Sequence, residues 1–189
     1  MNNPLDLNAV ITSTRSILAQ LLALDLDEVE ADHRIVDDLS ADSLDIVDLS
    51  FQLGRKYGCT LPKTSVLEHA SELNGDLDGL VENKGLTASG VALLRNSLSA
   101  YSAEQLRVGM KPTEVFAQTT VRNWAQQCHN LFNYLPDTCP QCGSHHAAVN
   151  EREQVVCGDC SGRLTPLDGD DVSRQLVAGF MATQAGEPA

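Results

Sequence analysis

Apolar residues in the first part of the chain recur at helical spacing. Val10, Ile11, Thr14, Ile17, Leu18, Leu21 and Leu22 fall on one stripe, which predicts a helix over residues 7–24. The stripe gives way to Asp25-Leu26-Asp27-Glu28-Val29-Glu30-Ala31-Asp32, an acidic connection with isolated apolar residues. Ile35, Val36 and Leu39 read as its anchors on a helical core. A second helix is expected to begin at or beside Ser43 and to end near Tyr57, with Leu44, Val47, Leu49, Phe51 and Leu53 as its apolar contacts. Beyond Pro62 the pattern loosens, and Gly75, Gly79, Gly85 and Gly90 punctuate the chain. A helix over residues 88–100 is predicted from Val91, Leu94 and Leu98, and Ser102-Ala103-Glu104-Gln105 has the form of a capping box opening a short helix that Pro112 ends. Thr119-Thr120-Val121 reads as the start of a last long helix. Val121, Trp124, Cys128, Leu131, Phe132 and Leu135 keep its spacing up to Pro136. Further on, residues 154–156 and 163–164 read as strands, and Val172, Leu176 and Phe180 mark a short helix. Residues 186–189 are expected to be disordered, and no internal repeat is visible.

The chemistry concentrates at Asp37-Asp38-Leu39-Ser40-Ala41-Asp42-Ser43-Leu44-Asp45. Serine and aspartate are common helix caps, so Asp42-Ser43-Leu44 alone says little. Its company says more: a hydrophobic helix before it, an acidic loop, an amphipathic helix after it, and the turn Gly58-Cys59-Thr60-Leu61-Pro62. From about residue 12 to residue 62 the chain resembles the acyl carrier proteins. The resemblance implies that Ser43 carries a 4'-phosphopantetheine arm, attached from coenzyme A by a phosphopantetheinyl transferase. The helix start and its backbone N–H groups are then expected to favour the phosphodiester anion. It also implies that Asp42, Leu44, Asp45, Ile46, Val47 and Asp48 are recognition residues for that transferase and for acyl-transferring, ligating or condensing enzymes. Asp45 and Asp48, three residues apart, share neighbouring parts of one helix face. Two departures stand out. The acidic face stops at Gly54-Arg55-Lys56, and residues 63–118 replace what is a short third helix in the resemblance. Both favour a specialised lipid or secondary-metabolite pathway over housekeeping fatty acid biosynthesis.

Cysteine spacing adds a second site. Cys139-Pro140-Gln141-Cys142 and Cys157-Gly158-Asp159-Cys160 are two C-x-x-C pairs separated by 14 residues. Such pairs aim four thiolates at one point and suit tetrahedral Zn2+, with no open coordination position for catalysis. Gly143 and Gly162 follow the pairs, where a positive φ is cheap. Redox dithiols, an iron–sulfur cluster and disulfides are the other uses of four cysteines. His145 and His146 lie between the pairs and read as solvated. Cys128 reads as core, and Cys59 has no visible partner.

Charge narrows the range of partners. The net charge is −13 over 189 residues, with a pI near 4.6, so nucleic-acid backbones and anionic membranes are disfavoured. From Cys139 onward three arginines and no lysine face seven acids, so the metal module lacks the basic footprint of a nucleic-acid reader. No apolar run reaches membrane-spanning length. The opening Met1-Asn2-Asn3-Pro4 does not resemble a secretory signal. A cytoplasmic protein is expected, in which cysteines serve as thiols or metal ligands.

The combined expectation is a mainly α protein: an acyl-carrier-type helical bundle with inserted helices, plus a small C-terminal β zinc ribbon. Its divisions are a carrier unit at residues 1–136 containing an insertion at about 63–118, a zinc ribbon at 137–168, and a short helix or disordered tail at 169–189. The chain is expected to be a carrier of acyl thioesters and not an enzyme. A peptidyl or aminoacyl carrier, or an unmodified zinc-ribbon adaptor for proteins, are the alternatives.

Overall fold

The computed structural model describes residues 1–184. The expected disorder at 186–189 lies outside them. Helix α1 (Leu7–Leu22) starts where the Asp6 carboxylate accepts the Ala9 N–H at 2.8 Å. It stops two residues earlier than its pattern suggests, because Ala23 turns left-handed (φ 54°). Val10, Ile11, Thr14 and Leu18 are buried along its stripe. The acidic connection makes one 3-10 turn at Leu26–Glu28 and is anchored by Val29, Ile35 and Leu39, whereas Val36 stays half-buried.

Helix α2 (Ser43–Tyr57) and helix α6 (Val121–Leu131) pack with α1 into the carrier core. The acidic connection is stitched to the start of α6. The Ile35 N–H donates to the Thr119 carbonyl, the Val121 N–H to that of His33, and the Arg122 N–H to that of Ala31. Arg122 also pairs with Asp32. The last carrier helix is shorter than expected. It ends at Leu131, and a 3-10 turn at Phe132–Tyr134 carries the chain on.

Residues 63–118 build most of a second apolar core, where the sequence suggested only helices inserted into one bundle. Its elements are α3 (Val66–Asn74), a hairpin of β1 (Val81–Glu82) and β2 (Gly85–Leu86), α4 (Ala88–Arg95) and α5 (Pro112–Val115). Neither α3 nor the hairpin was apparent from periodicity. The hairpin turns through Asn83 and Lys84, both at positive φ, and Gly85 is needed because a Cβ there would stand 2.7 Å from the Gly109 carbonyl. Helix α4 ends at Arg95, short of residue 100. Ser102-Ala103-Glu104-Gln105 makes half of its capping box, with the Ser102 N–H donating to Gln105 Oε1, but no helix follows. The Gln105 amide instead donates to the Gln118 carbonyl and to Asn123. Pro112 opens α5 rather than ending a helix, as proline at a first helical position does.

The C-terminal region contains an antiparallel pair, β3 (Ala147–Val149) with β4 (Val155–Cys157), and then α7 (Gly169–Gln184). Residues 163–164 form no strand, only a single bridge from Arg163 to Val156. At sixteen residues α7 is longer than expected. It packs on α3, with Val172 in the first core and Val177 in the second. The buried His69 of α3 meets Asp170 of α7 at 3.1 Å, and Asp170 also accepts the N–H groups of Lys63 and Thr64. Among the described residues no helix is long and apolar enough to cross a membrane.

Candidate arm site and metal centre

Ser43 is exposed and is the first residue of α2. Asp42 caps this helix: its Oδ1 accepts the Leu44 N–H at 2.7 Å and the Asp45 N–H at 3.1 Å. Asp45 returns the bond, Oδ2 accepting the Asp42 N–H at 2.9 Å. Two of the donors expected to favour a phosphodiester, the Leu44 and Asp45 N–H groups, are therefore already taken by a carboxylate, which leaves the helix dipole as the larger part of that argument. Asp42 and Asp45 have a structural use here, while Asp48 stands exposed.

The loop leading to Ser43 is held by Arg34, whose guanidinium bonds Asp37 and Asp38 at 2.8 Å each. Those bonds hold the Asp38 carboxyl down to about 2. The apolar residues of α2 divide in a way the pattern did not separate. Leu49 and Leu53 are fully buried in the core, but Leu44, Val47 and Phe51 are 75%, 66% and 63% exposed. The exposed three form a stripe leading away from Ser43. Ile46 is half-buried against the core.

The departure at Gly54-Arg55-Lys56 has a structural reason. Lys56 forms an ion pair with Glu153 beside β4. Arg163, also in the C-terminal module, covers Gly58, the left-handed cap of α2. Gly54 lets the turn fold back, since a Cβ there would stand 2.7 Å from the Cys59 carbonyl oxygen. Arg55 lies over the Phe51 ring at 6.0 Å. Of the two basic residues at this end, Lys56 holds the module and Arg55 stays on the helix's own surface.

The four cysteines of that module converge. Their sulfurs all lie within 4.8 Å of one another, with Cys139 and Cys160 3.7 Å apart and Cys142 and Cys157 3.6 Å apart. Zn–S bonds of about 2.3 Å place tetrahedral sulfurs about 3.8 Å apart, so the set fits that ion. N–H groups of Cys160 and Asp159 hold the Cys157 thiol down to about 6. Gly143 takes the expected positive φ of 75°. Gly162 does not; Ser161 adopts it at 59°, and the end of the Gln141 side chain lies against Gly162. His145 and His146 are exposed, bonded to the Asp137 carbonyl and facing Asp159, and stand outside the cluster. Cys59 does have a neighbour, its Sγ lying 4.0 Å from that of the buried Cys128.

Comparison with known proteins decides the family. The family model for the phosphopantetheine attachment site matches residues 14–71, the span that contains Ser43. An acyl carrier protein of Borreliella burgdorferi is 31% identical over 80 residues, covering 42% of this chain and 98% of the relative. The chain belongs to the acyl carrier protein family. The acyl carrier protein of Campylobacter jejuni subsp. doylei is 35% identical over 54 residues, 29% of this chain and 70% of its own. That of Thermotoga maritima is 32% identical over 75 residues, 40% of this chain and 90% of its own. No solved structure matches. Most of this carrier thus lies outside what it shares with these relatives.

Proposed function

We propose that Ser43 is the attachment point of a 4'-phosphopantetheine arm on which the protein carries acyl intermediates as thioesters. The observation that supports this best is an exposed serine opening α2 inside the span matched by the attachment-site family. The protein presents the hydroxyl, and the transferase supplies the chemistry. Asp48 and the apolar stripe of Leu44 and Val47 meet that transferase and the enzymes that load and unload the arm; Ile46 backs the stripe, and Asp42 with Asp45 fixes the helix start. The carrier itself catalyses nothing. Its pathway is a specialised one, because the far end of the recognition helix is used to seat the C-terminal module rather than to extend an acidic face.

In this reading residues 1–136 form the carrier unit with its insertion at about 63–118. Residues 137–168 form a zinc ribbon, and residues 169–189 follow as a terminal segment. Zn2+ is held by Cys139, Cys142, Cys157 and Cys160 and is structural, since four thiolates fill a tetrahedral ion. Work in the cytoplasm suits those thiolates, which stay reduced there. The test is transfer from coenzyme A in vitro with a broad-specificity transferase, alongside metal analysis. Mass gain that disappears in Ser43→Ala, with one zinc per chain, is expected. Gain that survives Ser43→Ala refutes the arm assignment, and iron in place of zinc refutes the metal assignment.

A further inference from the structure

Two cysteines take no part in the metal centre. Cys59 lies in the turn after α2, and Cys128 lies on α6. They are 69 residues apart in sequence, yet their sulfurs stand 4.0 Å from each other, in contact and not bonded. Cys128 is fully buried among the carrier helices. Cys59 packs against the same core but stays half-buried, and it borders the groove between α2 and the inserted unit. Of the two, only Cys59 has surface that a dissolved reagent reaches.

The backbone holds this pair in place. The Cys59 N–H donates to the Gly54 carbonyl at 3.1 Å, and the Thr60 carbonyl accepts the Gly169 N–H at 2.9 Å, so the turn is tied to α2 and to the start of α7. Cys128 is fixed by its place in α6. Its hydrogen bond with Cys59 and its burial push the Cys128 thiol well up, so it keeps its proton. A lone buried cysteine is ordinarily a small apolar filler. An accessible thiol touching a buried second one has a different layout, that of a thiol oxidised first beside a thiol that resolves it. A disulfide needs the sulfurs about 2 Å closer, which rotation of two short side chains and a small shift of the turn supply.

We infer that Cys59 and Cys128 form a reversible redox site, in which hydrogen peroxide oxidises Cys59 and Cys128 then closes a disulfide onto it. In the first step the Cys59 sulfur attacks one peroxide oxygen. An S–O bond forms, the O–O bond breaks, and the departing hydroxide takes the Cys59 proton and leaves as water. In the second step the Cys128 sulfur attacks the Cys59 sulfur. The S–S bond forms, the S–O bond breaks, and the second hydroxide leaves as water with the Cys128 proton. One peroxide is reduced to two waters while the thiol pair gives up two electrons, and a reductant reverses the change. Disulfides that do form in a reducing compartment are characteristically of this transient kind. Cys59 stands just before the insertion at 63–118 and Cys128 just after it, so the bond joins the two ends of the inserted unit inside the carrier core. The site is independent of Ser43.

The test uses the full-length, zinc-loaded chain. It is treated with increasing hydrogen peroxide, free thiols are blocked with iodoacetamide, and peptides are mapped without reduction while a chelating dye follows zinc release. Expected is a Cys59–Cys128 crosslink that forms while zinc stays bound. The crosslinked chain should melt about 10 °C above the reduced one, because the bond closes a long loop. A phosphine reductant should reverse both changes. Cys128→Ala should leave Cys59 as a sulfenic acid that dimedone traps, and Cys59→Ala should protect Cys128 from oxidation. Should Cys128→Ala fail to fold, Cys59→Ala at the half-buried turn and the unaltered chain still decide. Cys59 and Cys128 both remaining open to iodoacetamide at peroxide levels that release zinc overturns the site. Cys59 carried on to sulfinic acid in the unaltered chain, with no crosslink, overturns the role of Cys128. A crosslinked chain that melts no higher than the reduced one overturns the joining of the insertion's ends.

Discussion

The two halves of α2 face different surroundings. The first half, from Ser43 to Phe51, is capped by an aspartate pair and exposes Leu44, Val47 and Phe51. The second half, from Gly54 to Gly58, turns back tightly, pairs Lys56 with Glu153 and lies under Arg163. One half presents and the other anchors. A helix that in a minimal carrier could be recognition surface along its length is here shared between the proposed arm site and an attached module.

Removing metal should break the contrast most severely. Structural zinc contributes about 10–16 kcal/mol in small zinc modules. Cys139, Val155, Cys157 and Leu164 belong to the same apolar core as α1, α2 and α6, so the loss is not confined to the ribbon. A chelator, or Cys157→Ser, should lower the thermal midpoint followed by circular dichroism for the whole carrier. A melt in which the carrier helices are untouched would mean that the module is merely tethered.

Next in size is the difference between the inside and outside of the first half. Leu53→Ala should cost about 2–5 kcal/mol in urea unfolding, as buried leucines do. Phe51→Ala, at an exposed position, should change stability within about 0.5 kcal/mol. Equal costs would show that the Phe51 stripe is core after all.

Smaller again is the cap. Asp42→Ala should cost about 1 kcal/mol and Asp42→Asn much less, because an amide oxygen still accepts the Leu44 and Asp45 N–H groups. If both variants lose transfer of the arm while only Ala loses stability, the charge of Asp42 is read by the transferase separately from its role as a cap.

The smallest effect concerns acid. Asp38 has its pKa depressed by Arg34, so its contribution is present above the unfolded value near 4 and is lost as pH falls toward about 2. Arg34→Gln should remove that component and flatten acid unfolding between about pH 4 and 2. An unchanged acid profile would show that the Arg34 pairing does not outlast solvent screening.

The first core was largely legible because its residues repeat at helical spacing over long stretches. The stripe of α1, the start of α2 at Ser43 and the start of α6 at Val121 all came from that repeat. The four cysteines were legible for a different reason: ligand spacing is local, and their convergence follows from two tight turns. The insertion was legible only at α4, whose start at residue 88 the apolar spacing gave. Its core is assembled from elements of two to nine residues held by backbone bonds such as Leu86 N–H to the Met110 carbonyl, which leave no periodic trace. Leu44, Val47 and Phe51 were misplaced because an apolar residue exposed on a helix surface reads the same in sequence as one inside a bundle.

The central claim is that Ser43 carries the arm and its cargo. The most direct measurement is the intact mass of the protein purified from its own host, followed by mapping the modified peptide. Expected is a chain heavier by phosphopantetheine or by phosphopantetheine plus an acyl group, with the whole increment on the peptide containing Ser43. A full-length chain at its unmodified mass, or an increment on any other residue, would contradict it.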